Sequence, residues 1–482
     1  MSLRMILRIL GLLLMLFSLT LLPPVLISLI FNDGVWSSFL IAMAITVSTG
    51  ALLYWPNRNA RKELRTRDGF LIAALFWTVL GLFGSLPLML FGDDSLSLTD
   101  AVFESFSGLT TTGATVITGI DFLPESILYY RQQLQWLGGM GIVVLAVAIL
   151  PTLGVGGMAL YRTEIPGPLK DSKLTPRITE TAKALWYIYA TLTVACMLAY
   201  MAAGMDWFDA LGHSFSTVAI GGFSTYDASI GYFDSAAIEI ICVGFMLISA
   251  FSFSLHFIAW REKRLTHYFQ DPEGRFLMLF LLGLSVVTVL SLWLTDTYDT
   301  LRGLRHGVFQ VVSVATTAGF GVADFSMWPG ALPFLLFMAA FVGGCSGSTG
   351  GGMKVIRIIL IVKQGMREIM RLIHPNAVIA VKVGKVSVPD GIAQAVWGFF
   401  SVYVLLFFLM LVGVMATGVD QVTAWSTVGS ALNNLGPALG EASSHYGNVP
   451  EVAKWILVLA MLLGRLEIFT VLVLFTPAFW RR

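Results

Sequence analysis

Charge is scarce in this chain. Of its 482 residues 12 % are Asp, Glu, Lys or Arg, split 30 basic to 29 acidic, whereas 56 % are hydrophobic and the mean hydropathy is +0.80. So little polar surface cannot cover a soluble protein of this length, and the chain reads as an integral membrane protein. Cysteine is nearly as sparse. Cys196, Cys242 and Cys345 stand in apolar or glycine-rich surroundings, without the ligand spacing of a zinc or iron–sulfur site, and a disulfide framework is not expected. The long links also lack an HExxH signature and paired-carboxylate spacing, and none has room for a sizeable soluble module. A membrane enzyme and a sensor scaffold are thereby disfavoured. No catalytic residue, resident cofactor or nucleic-acid partner is expected. The first apolar run, 9–31, has no small-residue cleavage site and is followed by another at 35–55, so it reads as a retained helix and not a leader.

What the chain has in abundance is apolar length. Runs able to cross roughly 30 Å of hydrocarbon fall near 6–30, 35–55, 69–91, 126–150, 184–204, 233–259, 275–295, 329–362, 392–417 and 452–475. The links between them alternate in charge. Arg58, Arg61, Lys62, Arg65 and Arg67 occupy one, Arg261, Lys263 and Arg264 another, and Lys354, Arg357, Lys363, Arg367 and Arg371 a third. Arg4, Arg8, Arg481 and Arg482 fall on the same side, which makes both termini cytoplasmic. The opposite links hold Asp93, Asp94, Asp100, Asp206, Asp209, Asp296, Asp299 and Asp420.

Each of four outward links carries the same short stretch: SFSGLTTTGAT (105–115), SFSTVAIGGFS (214–224), QVVSVATTAGFG (310–321) and TVGSALNNLGPAL (427–439). Aligned on Gly113, Gly222, Gly319 and Gly436, they have Ser107, Ser216, Ser313 and Ser430 six places earlier, and Ala101, Ala210, Gly307 and Ala424 twelve places earlier. Before each glycine lies an amphipathic stretch (99–111, 206–219, 302–316, 420–433) too short to span a bilayer but long enough to enter it halfway where protein surrounds it. The fold class is therefore an all-α polytopic membrane protein: four tandem units of span, pore helix, filter strand and span around one pseudo-fourfold pore, plus an N-terminal helix pair. The corresponding divisions are 1–60 for the pair, then 61–170, 171–265, 266–375 and 376–482.

A half-helix entering from outside turns its negative end toward the middle of the membrane, and four such ends converging on one axis favour a cation. The segments beyond them, TTGA (111–114), IGGF (220–223), TAGF (317–320) and NLGP (434–437), contain no acidic side chain, so oxygen ligands must come mainly from backbone carbonyls. Glycine suits backbone angles that a side chain resists. The candidate filter is Thr111, Thr112, Gly113; Ile220, Gly221, Gly222; Thr317, Ala318, Gly319; and Asn434, Leu435, Gly436. Thr111, Thr112 and Thr317 add hydroxyls or buttress the strand. The eighth run is broken by Gly343, Gly344, Cys345, Ser346, Gly347, Ser348, Thr349, Gly350, Gly351 and Gly352, a composition that holds no regular helix and at membrane depth must line a cavity. It lacks the lysine and the strand-to-helix setting of a phosphate loop. Arg465, mid-way along the last run, is costly there unless it faces a polar interior or pairs with Glu467 nearby.

On these residues the chain closely resembles the TrkH/TrkG potassium-uptake subunits of bacteria, within the Trk/Ktr/HKT cation transporter superfamily. The resemblance spans essentially the whole chain, including the N-terminal pair. It implies that Gly113, Gly222, Gly319 and Gly436 are the filter glycines of a potassium-selective site, that potassium is the transported and bound ion, that 343–352 is an intramembrane gating loop, and that Arg465 lies beside it as a barrier or latch. It further implies the bacterial inner membrane, a homodimer, and a cytoplasmic NAD- or nucleotide-binding regulator of TrkA type. Two mechanisms stay open: gated conduction, and proton- or sodium-coupled symport through the same pore. Arg131 and Gln135 read as packing groups, Glu104 as a helix cap or vestibule charge, and His213 and His306 as structural.

Overall fold

The computed structural model describes residues 3–60, 66–92, 95–144 and 178–480. Arg61, Lys62 and Arg65 of the first basic link, Asp93, Asp94, the terminal arginines and the expected boundary near 170 lie outside them. Among the described residues the only sheet is a small antiparallel hairpin, Lys382–Val383 with Val386–Ser387. Everything else regular is helical.

The N-terminal pair crosses where glycine removes the side chains. A Cβ at Gly11 would meet the Gly50 carbonyl oxygen at 2.6 Å, and one at Gly50 would meet the Gly11 oxygen at 2.8 Å. The helices Leu3–Leu19 and Trp36–Tyr54 thus touch backbone to backbone.

The four units follow. Their first spans are Asp68–Leu90, Ala182–Ala202, Pro272–Leu294 and Asp390–Met415, and with the N-terminal pair they are the six helices among the described residues long and apolar enough to cross a membrane unbroken. Each is followed by a half-length pore helix: Leu98–Leu109, Trp207–Ala219, Thr300–Ala315 and Gln421–Asn433. Side-chain oxygens of Ser97, Asp206, Asp299 and Asp420 cap these helices by accepting from backbone N–H groups of the first turn. The outward aspartates therefore start the pore helices as well as marking the outer face.

The second helix of every unit departs from a plain span. In the first unit, Glu125–Val144 carries Arg131, Gln132, Gln133 and Gln135, which lower its hydropathy. The other three are broken. In the second, Ala236–Ala250 and Phe253–Glu262 meet at 93°, and in the fourth, Glu451–Arg465 and the segment Phe469–Phe475 meet at 107°. In the third, Leu332–Ala339 and Val355–Ile373 are separated by the glycine-rich segment. Only that last interruption is expected from sequence. The breaks at 251–252 and 466–468 contain neither glycine nor proline, and continuous apolar composition hides them.

Candidate ion pathway

All four pore helices end in one way. The residue two before each aligned glycine is left-handed: Thr111 (φ 54°), Ile220 (φ 53°), Thr317 (φ 67°) and Asn434 (φ 52°). The next N–H then reaches back to the carbonyl of the aligned serine, as in Thr112 N to Ser107 O (2.8 Å), Gly221 N to Ser216 O (2.8 Å), Ala318 N to Ser313 O (2.8 Å) and Leu435 N to Ser430 O (2.9 Å). This is a Schellman closure built without glycine at the left-handed position, and a β-branched residue there costs roughly 1–2 kcal/mol. Three of the four sites accept that cost. The repeated serine is thus explained through its carbonyl, which terminates the helix.

The aligned glycines come next, with φ 81°, 81°, 79° and 99°. What they abut defines the ring. A Cβ on Gly113 would lie 2.0 Å from Gly221 O; on Gly222, 2.2 Å from Ala318 O; on Gly319, 2.3 Å from Leu435 O; and on Gly436, 2.6 Å from Thr112 O. Each glycine presses on the carbonyl one residue before the next unit's glycine, in the order first, second, third, fourth and back to the first. The four strands close on themselves, and no side chain fits at any seam. Outside them opens a cavity of about 430 Å³ bordered by all four glycines.

Directly inside the ring sits the glycine-rich segment. Gly351 N donates to Thr317 Oγ1 (2.6 Å) and Gly352 N to Asn433 O (2.9 Å), while Thr349 Oγ1 donates to Val218 O (3.0 Å). The segment is thereby bonded to the ends of the second, third and fourth pore helices. Cys345 N donates to Ala250 O (2.9 Å) and Phe253 N to Gly347 O (3.0 Å), so the break in the second unit and this segment satisfy each other's backbone. Ser346 N is held by Glu273 Oε2 (2.9 Å), and Lys354 Nζ donates to Gly350 O. Buried Arg465 donates from Nη1 to Thr349 O (3.0 Å) and from Nη2 to Gly138 O (3.5 Å), tying the segment to the first unit. Glu467 pairs with Arg357 (2.7 Å), so it is not the partner of Arg465.

Sequence comparison matches the family described as TrkH, cation transport protein, over residues 36–482. This chain is a member of the TrkH family. It is 86 % identical over the full length of both chains to the Trk system potassium uptake protein TrkH of Halomonas elongata, and 41 % identical, over 99 % of each, to the TrkG protein of Escherichia coli K12. Its fold superposes on the crystal structure of the potassium transporter TrkH from Vibrio parahaemolyticus with a TM-score of 0.93, at 53 % identity and full coverage of both chains. It is a multi-pass membrane protein and not an enzyme.

In this TrkH-family chain the ring is braced by residues that sequence patterning undervalues. Gln135 Nε2 donates to Gly221 O (2.6 Å) and its Oε1 accepts from Phe223 N (3.1 Å), clamping the second strand from behind. Gln132 Nε2 reaches Phe223 O (3.2 Å). Buried Arg131 pairs with Glu104 (2.8 Å) and also donates to Ser224 O (3.3 Å), while Glu104 Oε2 accepts from Val116 N (3.0 Å). Glu104 therefore neither caps its helix nor faces the vestibule; it fixes the strand leaving the first glycine. His213 sits between Asp209 O and Ser224 Oγ, both at 2.8 Å, a structural place. In the fourth unit Tyr446 donates its hydroxyl to Gly436 O (2.8 Å) and its N–H to Thr115 O (2.7 Å). Asn434 Nδ2 donates to Thr112 Oγ1 and to Met461 O, both at 3.0 Å, so it ties the fourth strand to the first. Of the threonine hydroxyls, that of Thr112 joins the first strand to the fourth, that of Thr317 accepts from the glycine-rich segment, and that of Thr111 is buried without a hydrogen-bond partner. One signal was available for the braces: four polar residues in five positions of an otherwise apolar run.

Proposed function

We propose that the protein takes up potassium across the bacterial inner membrane through a gated, channel-like pore. The cyclic closure of the four glycine strands carries this reading: the carbonyls of Thr112, Gly221, Ala318 and Leu435 each abut a neighbouring unit's glycine just beyond the negative ends of four pore helices, and no carboxylate belongs to the ring, which supports a cation site made of backbone oxygens. Potassium binds there through the residues 111–113, 220–222, 317–319 and 434–436. The segment 343–352, held beneath the ring by Arg465, Lys354 and Glu273, is the gate in its closed position. The relatives' names as potassium uptake proteins support the ion, and the family supports a homodimer opened by a cytoplasmic nucleotide-binding subunit of TrkA type. Conduction without a coupling proton is favoured because Glu104, Glu273 and Glu467, the glutamates bonded to the strands or to the glycine-rich segment and its flanks, are each engaged by an arginine or a backbone N–H. The full-length protein in proteoliposomes is expected to pass potassium in preference to sodium, with flux rising on addition of the regulator. Equal sodium and potassium flux would overturn it.

A further inference from the structure

A large cavity outside the ion path opens toward the membrane between the second and third units, at the cytoplasmic ends of their helices. It encloses about 1,170 Å³ between the span Ala182–Ala202, the broken helix of the second unit, the short helix Thr266–Gln270 and the start of Pro272–Leu294. Its floor is apolar, with Leu192, Ile248, Phe251 and Met278, and two cations, Lys263 and Arg275, line the same space. Neither cation makes an ion pair within 4 Å among the described residues; nearby Arg261 and His267 instead share Glu262. Trp260, 72 % exposed, and Phe269, 77 % exposed, flank the mouth as interfacial aromatics. An apolar slot at inner-leaflet depth, lined by two cations that make no close ion pair, although Arg275 lies within electrostatic reach of Asp271, matches a ligand with an apolar tail and an anionic head.

We propose that this groove holds an acyl chain of an anionic phospholipid from the cytoplasmic leaflet, with its phosphate between Lys263 and Arg275. The site adjoins the gate through two short paths. Phe251, a wall of the groove, packs on Gly274, whose added Cβ would lie 2.4 Å from its ring, and the next residue before Gly274, Glu273, holds Ser346 of the glycine-rich segment. His256, also a lining residue, is bonded to Tyr268 (2.7 Å) and to the Ile248 carbonyl (2.9 Å) just above the break that supports Cys345. A bound chain thus stiffens the support of the segment. Any effect on flux rests on the gate reading above, whereas binding is measured independently of it.

The test is native mass spectrometry of the purified full-length protein titrated with dioleoylphosphatidylglycerol or dioleoylphosphatidylcholine. Wild type is expected to retain phosphatidylglycerol preferentially, and Lys263→Gln to lower that retention about fivefold, the factor for one basic residue lost beside an anionic lipid. A Cβ at Gly244, on the groove wall, meets nothing within 4 Å, so Gly244→Trp fills the slot from inside and is expected to abolish the specific adduct. Equal retention of the two lipids by wild type, or unchanged retention in Lys263→Gln, overturns the proposal. So does a loss of dimer mass in Gly244→Trp with lipid retention intact, which would make a second copy of the chain the occupant.

Discussion

At the residue scale, the ring depends on atoms that are missing. With Gly221 O 2.0 Å from where a Gly113 Cβ would sit, Gly113→Ser must push two strands apart. The strained φ of 81° adds roughly 1–2 kcal/mol for any side chain. We expect the potassium-to-sodium flux ratio in vesicles to fall about tenfold, the factor for about 1.4 kcal/mol of lost discrimination. Gly283→Ala, where an added Cβ meets nothing within 4 Å, serves as the neutral control. An unchanged ratio in Gly113→Ser at normal yield would remove that glycine from the filter. The braces behind the ring separate two effects. Gln135→Leu deletes two hydrogen bonds to the second strand and leaves Gly221 and Phe223 to rearrange, so selectivity is expected to drop while the yield holds. Glu104→Ala strands the buried Arg131 guanidinium and should cost about 3–5 kcal/mol of stability, read as a lower thermal unfolding midpoint in detergent.

At the element scale, the sequence exposed some features and concealed others for physical reasons. The pore helices were legible because a capped amphipathic stretch of 12 to 16 residues leading into a glycine has few other uses in an apolar chain. The interruption at 343–352 was legible because six glycines cannot hold a helix. The bends at 251–252 and 466–468 were not: at the first, Ala250 O and Phe253 N are satisfied by the glycine-rich segment, and at the second, Glu467 and Ile468 turn at φ 56° and 39° just after Gly464, which abuts the Leu432 carbonyl of the fourth pore helix, while Glu467 pairs with Arg357. Backbone polar groups freed at the breaks of the second and third units thus satisfy each other, and the fourth unit adds the Arg465 side chain at its own break. Deleting part of 345–350 removes these partners and the plug together. We expect basal potassium flux to rise several-fold and its dependence on the cytoplasmic regulator to fall; a deletion variant that assembles but stays silent without the regulator would make the segment a structural break. Arg465→Ala is expected to raise flux by freeing Thr349 O, while Arg465→Lys, which keeps the charge but loses the planar fork, should retain part of the barrier. Equal loss of membrane yield in both variants would instead identify a scaffold role.

At the scale of the whole molecule, four unequal units form one axis, and the driving force for uptake becomes the remaining question. The axis carries helix ends, carbonyls and one arginine, and the acids near it are engaged: Glu104 by Arg131, Glu467 by Arg357, Glu273 by the backbone of the loop, and Asp209 by the hydroxyls of Thr225 and Tyr226. A carboxylate already committed to a structural cation is a poor proton carrier, because releasing it for each cycle would repeatedly uncover a buried charge. Conduction then follows the electrochemical gradient of potassium alone. In proteoliposomes with a fixed potassium gradient, the voltage at which flux reverses should equal the potassium equilibrium potential and stay there when a pH gradient is added. A one-to-one symport with protons moves two charges per cycle. One pH unit, about 1.4 kcal/mol, would then displace the reversal voltage by about 30 mV, since 100 mV is worth about 2.3 kcal/mol per charge. A displacement of that size would reject the channel and assign the coupling proton to one of the paired glutamates; Glu273, which holds the loop, would be the first to test by Glu273→Gln.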